Sequence, residues 1–340
     1  MATNIGAAQH KVLVTGSSGH LGTGLMLHLP TIGYEVVGID ILPSSTTTAV
    51  GSISSPEFLR KVFETYRPTH VLHTATLHKP HVDSHSMTDF VSTNVQGTVN
   101  LLDLSHEFGV QAFVFTSTTS TFGHALRPAV EGDSAIWIDE QVHPIAKNIY
   151  GVTKICAEDI CKLFHKQRGL PIIILRTSRF FPELDDVESV RTIHPDDANI
   201  KVNELAYRRV DIYDVVTAHV KALEKAQQLR WGKYIISSPT PFTRNSKLLA
   251  SLGRDAPSVV EDIFGAAYKE VYEKRGWKYF ASVDRVYDSS AALQDLGWTP
   301  LYTFENALQR LAAGEDYRSP LTLQVGIRGY HAEPTGVYTT

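Results

Sequence analysis

Tyr150 and Lys154, four positions apart in the segment YGVTK, are the residues best suited to acid–base chemistry. On a helix they share one face. A free phenol ionises near pH ~10 and is a poor base at neutrality, whereas a nearby ammonium favours the phenolate. The pair by itself is also an ordinary helix face. It gains meaning from a hydroxyl-rich strand end upstream, Thr116-Ser117-Thr118-Thr119-Ser120-Thr121, where hydroxyls can hold a substrate oxygen. A third feature is the glycine turn TGSSGHLG at 15–22. Gly16 suits a tight turn, Gly19 admits backbone close to a pyrophosphate, and Gly22 permits close helix–strand contact. Free N–H groups and the positive dipole end of the next helix would face the phosphates. Asp40 closes the following run, EVVGID, where a carboxylate accepts from an adenosine ribose diol and repels a 2′-phosphate. No Arg or Lys follows within Ile41-Leu42-Pro43-Ser44, so the expected cofactor is NAD rather than NADP.

His73, His78, His81 and His85, with Asp83, crowd one further segment. Imidazoles and a carboxylate can bind zinc, but no helical His-Glu-x-x-His or paired-Cys motif accompanies them, and no metal is expected. Because the segment leaves a strand end, His78 and Lys79 are candidate substrate contacts or cations for an anionic group. His81 and His85 read equally well as a solvated loop.

The elements that must position these groups follow from periodicity. Short β-branched runs predict strands over Lys11–Thr15, Glu35–Asp40, His70–His73, Gln111–Thr116 and Pro171–Arg176. Helical patterns lie between them at Leu21–Leu29, Pro56–Tyr66, Asp89–Phe108 and Asn148–Arg168. This alternation predicts an α/β chain with a doubly wound parallel sheet, a Rossmann fold, and a smaller C-terminal substrate domain. After Arg176, Phe181–Asn199 reads as irregular, and Asp214–Gln228, Lys247–Leu252, Val259–Tyr272, Ser289–Leu296 and Phe304–Leu311 as helical. Lys233–Ser237 and Val283–Tyr287 read as strands, and 314–340 as a surface wrap. The expected cofactor domain is 1–176 with returning segments near 206–237 and 283–298; the substrate domain takes 177–205, 238–282 and 299–340.

With 43% apolar and 20% charged residues among 340, the chain can bury a full core, which excludes overall disorder. Its net charge of −4 leaves no excess of cations for a nucleic acid. Apolar stretches such as Ile172–Leu175 are far shorter than the roughly 20 residues of a membrane helix. Met1–His10 carries no basic start with an apolar core, so no secretory leader is expected. Cys156 and Cys161 point in different directions on a helix, which predicts free thiols and a reducing, cytoplasmic setting.

In these motifs the chain resembles the extended short-chain dehydrogenase/reductase family, in its NAD-dependent epimerase/dehydratase group. The resemblance runs from Lys11 to about Leu311. It rests on TGSSGHLG (15–22), Asp40, HTAT (73–76), NVQGTVNLL (94–102), TSTTSTFG (116–123), YGVTK (150–154) and LGW (296–298). It implies Tyr150 as acid/base, Lys154 as its electrostatic partner, and Thr118 as the hydroxyl polarising the substrate oxygen, with Ser117 the neighbouring candidate. It further implies cofactor contacts at Gly16, Ser18, Gly19, His20, Leu21, Gly22 and Asp40, at Ser52 and Ile53, at His73, Thr74, Ala75 and Thr76, and at Asn94, Thr116 and Arg176. Substrate contacts are expected at His78, Lys79, Thr119, Ser120, Arg179 and Arg209. A homodimer joined by a four-helix bundle from 89–108 and 148–168 is implied as well.

The departures narrow the substrate. Sugar dehydratases of the family carry Thr-Asp-Glu where this chain has Thr118-Thr119-Ser120, lacking both the acid and the base for water elimination. Arg179 stands near the family's Asn, Tyr207 near its first diphosphate arginine beside Arg208 and Arg209, and Lys278 is the cation nearest the second. Ser52 replaces the third-strand acid that reaches adenine. The expected activity is hydride transfer between NAD and a secondary alcohol or ketone of a polyhydroxylated, sugar-like substrate, with a sugar nucleotide retained through the arginines. Reduction of a retained ketone from its other face gives epimerisation; its release gives a net dehydrogenase, or a ketoreductase on a non-nucleotide small molecule. A non-catalytic NAD sensor is the contrasting reading.

Overall fold

Val12, Leu13 and Val14 are fully buried, as a strand covered on both faces requires. In the computed structural model, which describes residues 10–126, 128–130, 132–185 and 187–328, these residues form the middle of β1 (Lys11–Thr15). The order continues with α1 (His20–His28), β2 (Glu35–Asp40), β3 (Ala49–Val50), α2 (Pro56–Tyr66), β4 (His70–His73), α3 (Met87–Phe90) and α4 (Gly97–Glu107). Then come β5 (Ala112–Thr118), β6 (Ile136–Ile138), α5 (Ile149–Arg168), β7 (Ile172–Thr177), α6 (Glu188–Ile193), α7 (Asp197–Leu205), α8 (Ile212–Leu229) and β8 (Trp231–Ile236). The chain closes with α9 (Ser246–Arg254), α10 (Ala256–Arg275), β9 (Arg285–Tyr287), α11 (Ser290–Leu296), α12 (Phe304–Ala312) and α13 (Pro320–Val325).

Seven strands form one sheet in the order β3-β2-β1-β4-β5-β7-β8. The pairings from β3 through β5 are parallel, with Thr15 opposite both Ile39 and His73. This is the expected doubly wound sheet. No described helix is long and apolar enough to cross a membrane. The residues 1–9, where no leader is expected, and 329–340 of the C-terminal wrap lie outside the described residues.

Contacts divide the chain into two units. The first runs through Thr116 and adds Thr153–Ile174 and His219–Gly232; the second is Ser117–Val152, Leu175–Ala218 and the chain from Lys233 onward. The core of the first packs Leu13, Val37, Val71, Phe113 and Ile172 of the sheet against Leu59 and Phe63 of α2, Leu101 of α4 and Ala157 of α5. In the second, Val202 and Leu205 of α7 pack with Val260, Tyr272, Phe304 and Leu308. Residues 117–152 and 283–298 join the second unit because β6 pairs with β9 there, Trp137 opposite Val286.

Three local differences from periodicity have physical causes. The helix expected over Asp89–Phe108 is interrupted by a π-turn, Val91–Gln96, whose wider coil brings Asn94 to a buried position. The acid-rich 181–199 stretch holds α6 and the start of α7, the latter capped by Asp196 accepting from the Ala198 N–H. The wrap after Gly314 contains α13, capped by Ser319.

The glycine turn is sterically closed. Gly16 has φ 72°, and a Cβ at Gly22 would lie 1.9 Å from the Gly16 carbonyl oxygen. Gly22→Ala is therefore expected to destabilise the protein by more than ~3 kcal/mol. Gly33→Ala, at φ 91° in open space, should cost only about 1–2 kcal/mol. Urea titration of both variants checks the contrast, and equal losses would refute the steric account.

Candidate functional site

The first unit supplies a cradle for a dinucleotide. The Gly16 and Ser17 N–H groups donate to the Ile39 carbonyl, and the Gly19 N–H donates to that of Gly16, closing the turn. Gly19 then opens α1 with no side-chain cap, leaving the helix N-terminus to an outside anion. Beside it the Asp40 carboxylate accepts from the Ser18 N–H at 2.9 Å and from the Leu42 N–H at 2.9 Å. The Ser18 hydroxyl joins those of Ser44 and Thr47. A cradle that any Cβ would fill, an uncapped helix start and a half-buried strand-end carboxylate fit the phosphates and ribose of NAD.

The neighbouring positions mostly build this cradle. The Thr74 hydroxyl donates to the Thr15 carbonyl and the Ala75 N–H to the Thr15 hydroxyl, setting Ala75 backbone against Gly16. His20 and Leu21 are buried within α1. Ser52 is half-buried, and Ile53 packs on Gly97 while its carbonyl accepts from Asn100. His73 is a buried strut, bonded to Thr15 through Nδ1 and to Thr98 through Nε2. Burial first and Lys154 second hold its imidazole well below the ordinary range, so it is neutral.

Asn94 fastens three elements. Its carbonyl oxygen accepts from the Thr76 hydroxyl and the Leu77 N–H; its amide donates to the Leu77 carbonyl and the Thr153 hydroxyl. Next along α5, Lys154 is 2% exposed. Its Nζ donates to the Thr116 carbonyl at 2.6 Å and stands 4.0 Å from the centre of the Phe115 ring. Burial pulls this ammonium down to about 7, against the opposing pull of Glu158. Thr116 is held in turn by His219, at 2.8 Å from its hydroxyl. Sequence reasoning missed His219, which no motif marks.

In the histidine segment, His78 and His81 stack edge-on with centroids 4.7 Å apart, and His81 and His85 at 5.0 Å. His78 and His81 are buried and Lys79 is exposed, so the turn is packed rather than a solvated loop. No cluster of three potential metal ligands occurs among the described residues.

The second unit holds the phenol. Tyr150 is 8% exposed and hydrogen-bonded to Thr118. Burial pushes the phenol up to about 12, with the Thr118 bond acting the other way. Loss of water thus opposes a phenolate at Tyr150, whose hydroxyl keeps its proton at neutrality. Thr118 also caps the turn Thr119–Thr121 through the Ser120 N–H, and the Ser117 carbonyl accepts from Thr177. Ser117 and Thr119 are buried and Ser120 half-buried.

The arginines expected at the substrate share one buried carboxylate. Arg179 donates to Asp185 at 2.6 Å and to Glu204 at 2.9 Å. Arg209 donates from Nε to Glu204 at 2.7 Å and to the Phe181 carbonyl, and Arg208 pairs with Glu204 at 2.8 Å. Glu204 is fully buried, so three guanidiniums converge to neutralise one carboxylate. Arg209 also lines a shallow cleft with Lys201 and Arg318, which pair with Asp197 and Asp316. Arg176, expected at the cofactor, is 1% exposed with its guanidinium 4.8 Å from the centre of the Phe122 ring. Lys278 is exposed. Cation counting by position could not find Glu204, which no motif marks.

Burial alone would raise the Glu204 carboxyl, but Arg208, Arg209 and Arg179 outweigh it and hold it well below the usual carboxylate range. Its stabilisation is therefore present above about pH 4.5, the ordinary range, and is lost on acidification below it. Glu204→Gln leaves buried guanidiniums uncompensated and should cost about 3–5 kcal/mol at neutral pH, with the gap to wild type narrowing in acid. Denaturant titrations across pH read this out; a constant gap would contradict the assignment.

A profile described as the NAD dependent epimerase/dehydratase family matches residues 12–236. The UDP-glucose 4-epimerase of Rhizobium meliloti is 29% identical over 174 residues, covering 49% of this chain and 51% of that protein. The chain thus spans about half the length of this curated relative. Among solved structures, UDP-glucose 4-epimerase of Thermus thermophilus in complex with NAD superposes with TM-score 0.60 at 20% identity, covering 89% of this chain and 98% of that one. The UDP-glucose 4-epimerase of Thermotoga maritima, with UDP-glucose, does so with TM-score 0.60 at 23% identity, covering 89% and 97%.

Proposed function

Since the chain belongs to the NAD dependent epimerase/dehydratase family, we propose that it is an enzyme moving hydride between NAD and a secondary alcohol or ketone of a sugar or sugar nucleotide. The observation that carries this reading is the Thr118–Tyr150 hydrogen bond on the helix that bears Lys154 one turn further on. The glycine turn and the start of α1 would hold the pyrophosphate of NAD, and Asp40 the adenosine ribose. Bound NAD supplies the hydride acceptor or donor.

The chain's own residues handle the proton. In the reducing direction the neutral Tyr150 hydroxyl gives its proton to the carbonyl oxygen, while the Thr118 hydroxyl holds that oxygen in place. In the oxidising direction the phenolic oxygen must take a proton, which needs the ammonium of Lys154 charged to stabilise the phenolate. The missing acid and base at Thr119 and Ser120 disfavour water elimination, so epimerisation or net dehydrogenation is the outcome. The UDP-glucose 4-epimerases named above support a nucleotide sugar as substrate. The first unit is read as the cofactor half and the second as the substrate half, in a cytoplasmic protein; the free thiols of Cys156 and Cys161 accord with a reducing setting.

Tyr150→Phe should lower turnover by about 10²–10⁴ while NAD affinity, followed by calorimetry, stays close to wild type. Undiminished turnover would refute the role given to Tyr150, and NAD binding with no turnover in the wild-type protein would leave the sensor reading standing. Isomer exchange without a rise in NADH absorbance identifies an epimerase, and accumulating NADH a dehydrogenase.

The proposal includes a homodimer through the 89–108 and 148–168 helices. Val91 and Leu163 there are 48% and 52% exposed, apolar surface that a partner helix would cover. Leu163→Arg should shift the sedimentation coefficient towards the monomer; an unchanged value would remove this face from the interface.

A further inference from the structure

Lys154 is a buried ammonium, 2% exposed. The Thr116 carbonyl and the Phe115 ring of β5 occupy one side. From β4 the nearby imidazole is that of His73, which is neutral. From α8 a ring nitrogen of His219 lies 2.8 Å from the Thr116 hydroxyl. On α5 itself two titratable groups act on the ammonium, Glu158 and Cys161. Burial raises the Cys161 thiol far above neutrality, so it carries no charge either. Glu158 remains. It is 3% exposed, and it lies four residues beyond Lys154, on the same helix face at roughly 5–6 Å between Cβ atoms. A buried ammonium without a counter-charge loses its proton rather than its burial.

We propose that Glu158 is the positioning residue for Lys154: its buried carboxylate, one turn further along α5, supplies the counter-charge that keeps the ammonium protonated for Tyr150. The inference rests on the reading of Tyr150 and Lys154 given above. It has a direct consequence for pH. Burial already brings the ammonium down to about 7, and Glu158 opposes that fall. Without the carboxylate the midpoint drops further, so at neutrality Lys154 becomes an uncharged amine. An uncharged amine cannot stabilise a phenolate, and the oxidising direction fails while the fold stands.

The test is the titration of ¹³C-labelled lysine side chains by NMR on the protein without added cofactor, the Lys154 resonance being assigned through Lys154→Met. In Glu158→Gln the midpoint should fall by at least about one unit, a tenfold change in the protonation constant. Glu158→Leu should show the same fall and keeps the test decisive if the glutamine variant does not fold, since a buried leucine demands no hydrogen bonds. Glu158→Asp, which retains the charge, should stay within about half a unit of wild type. An unmoved midpoint in a folded Gln or Leu variant overturns the proposal. Turnover measured on the same variants separates the two readings. A loss that deepens from about pH 6 to about pH 8 supports both. A moved midpoint with unchanged turnover upholds the counter-charge and refutes the role given to Tyr150 and Lys154.

Discussion

The arrangement turns on one buried charge. An ammonium taken out of water needs hydrogen-bond acceptors and a compensating field, and the end of a parallel strand offers the first of these. The last carbonyls of β5 emerge where the sheet stops, and that of Thr116 receives Lys154. Everything around this bond fixes its geometry. His219 holds the Thr116 side chain, and the amide of Asn94 clasps both Thr153 and the chain leaving β4. A buried polar network of this kind is useful only when its members are satisfied, so a slip of α5 by one residue would strand several groups at once. The register of α5 is thus set by hydrogen-bond accounting rather than by shape alone.

The π-turn at Val91–Gln96 belongs to the same constraint. A regular helix distributes its side chains evenly, whereas one widened turn rotates the neighbouring positions and lets Asn94 face inward. The glycine turn works by the opposite means, removing side chains so that Gly16, Gly22 and Ala75 backbones can meet. One device adds reach and the other subtracts bulk. Both serve to bring backbone and short polar groups close to where a dinucleotide would lie.

The second unit shows why a cation count misleads. Arg179, Arg208 and Arg209 look like a reserve of positive charge in the linear chain, yet they converge on Glu204. The Thr118 hydroxyl, bonded to Tyr150, stands outside this knot. Phenol and ammonium are also driven apart in acidity by the same cause. Loss of water raises the one to about 12 and lowers the other to about 7, so close to physiological pH the phenol is neutral and the ammonium is only partly protonated. Their working charges depend on what else is buried with them.

Much of the fold was legible in the chain. Continuous β-branched runs dictated buried parallel strands, and glycine spacing dictated the turn, because those preferences are local and steric. The strands Lys11–Thr15, Glu35–Asp40 and His70–His73 and the helix Pro56–Tyr66 stand where periodicity put them. The pairing of Tyr150 with Lys154 came from residue type and spacing, and Thr118 from the family resemblance. What only the tertiary structure decided was the ionic state and employment of each group: that His73 is a strut, that Asn94 sits in a widened turn, that Glu204 claims three arginines, and that Glu158 lies buried one turn from Lys154. The physical reason is that desolvation and pairing depend on neighbours distant in sequence, and no local pattern records who those neighbours are.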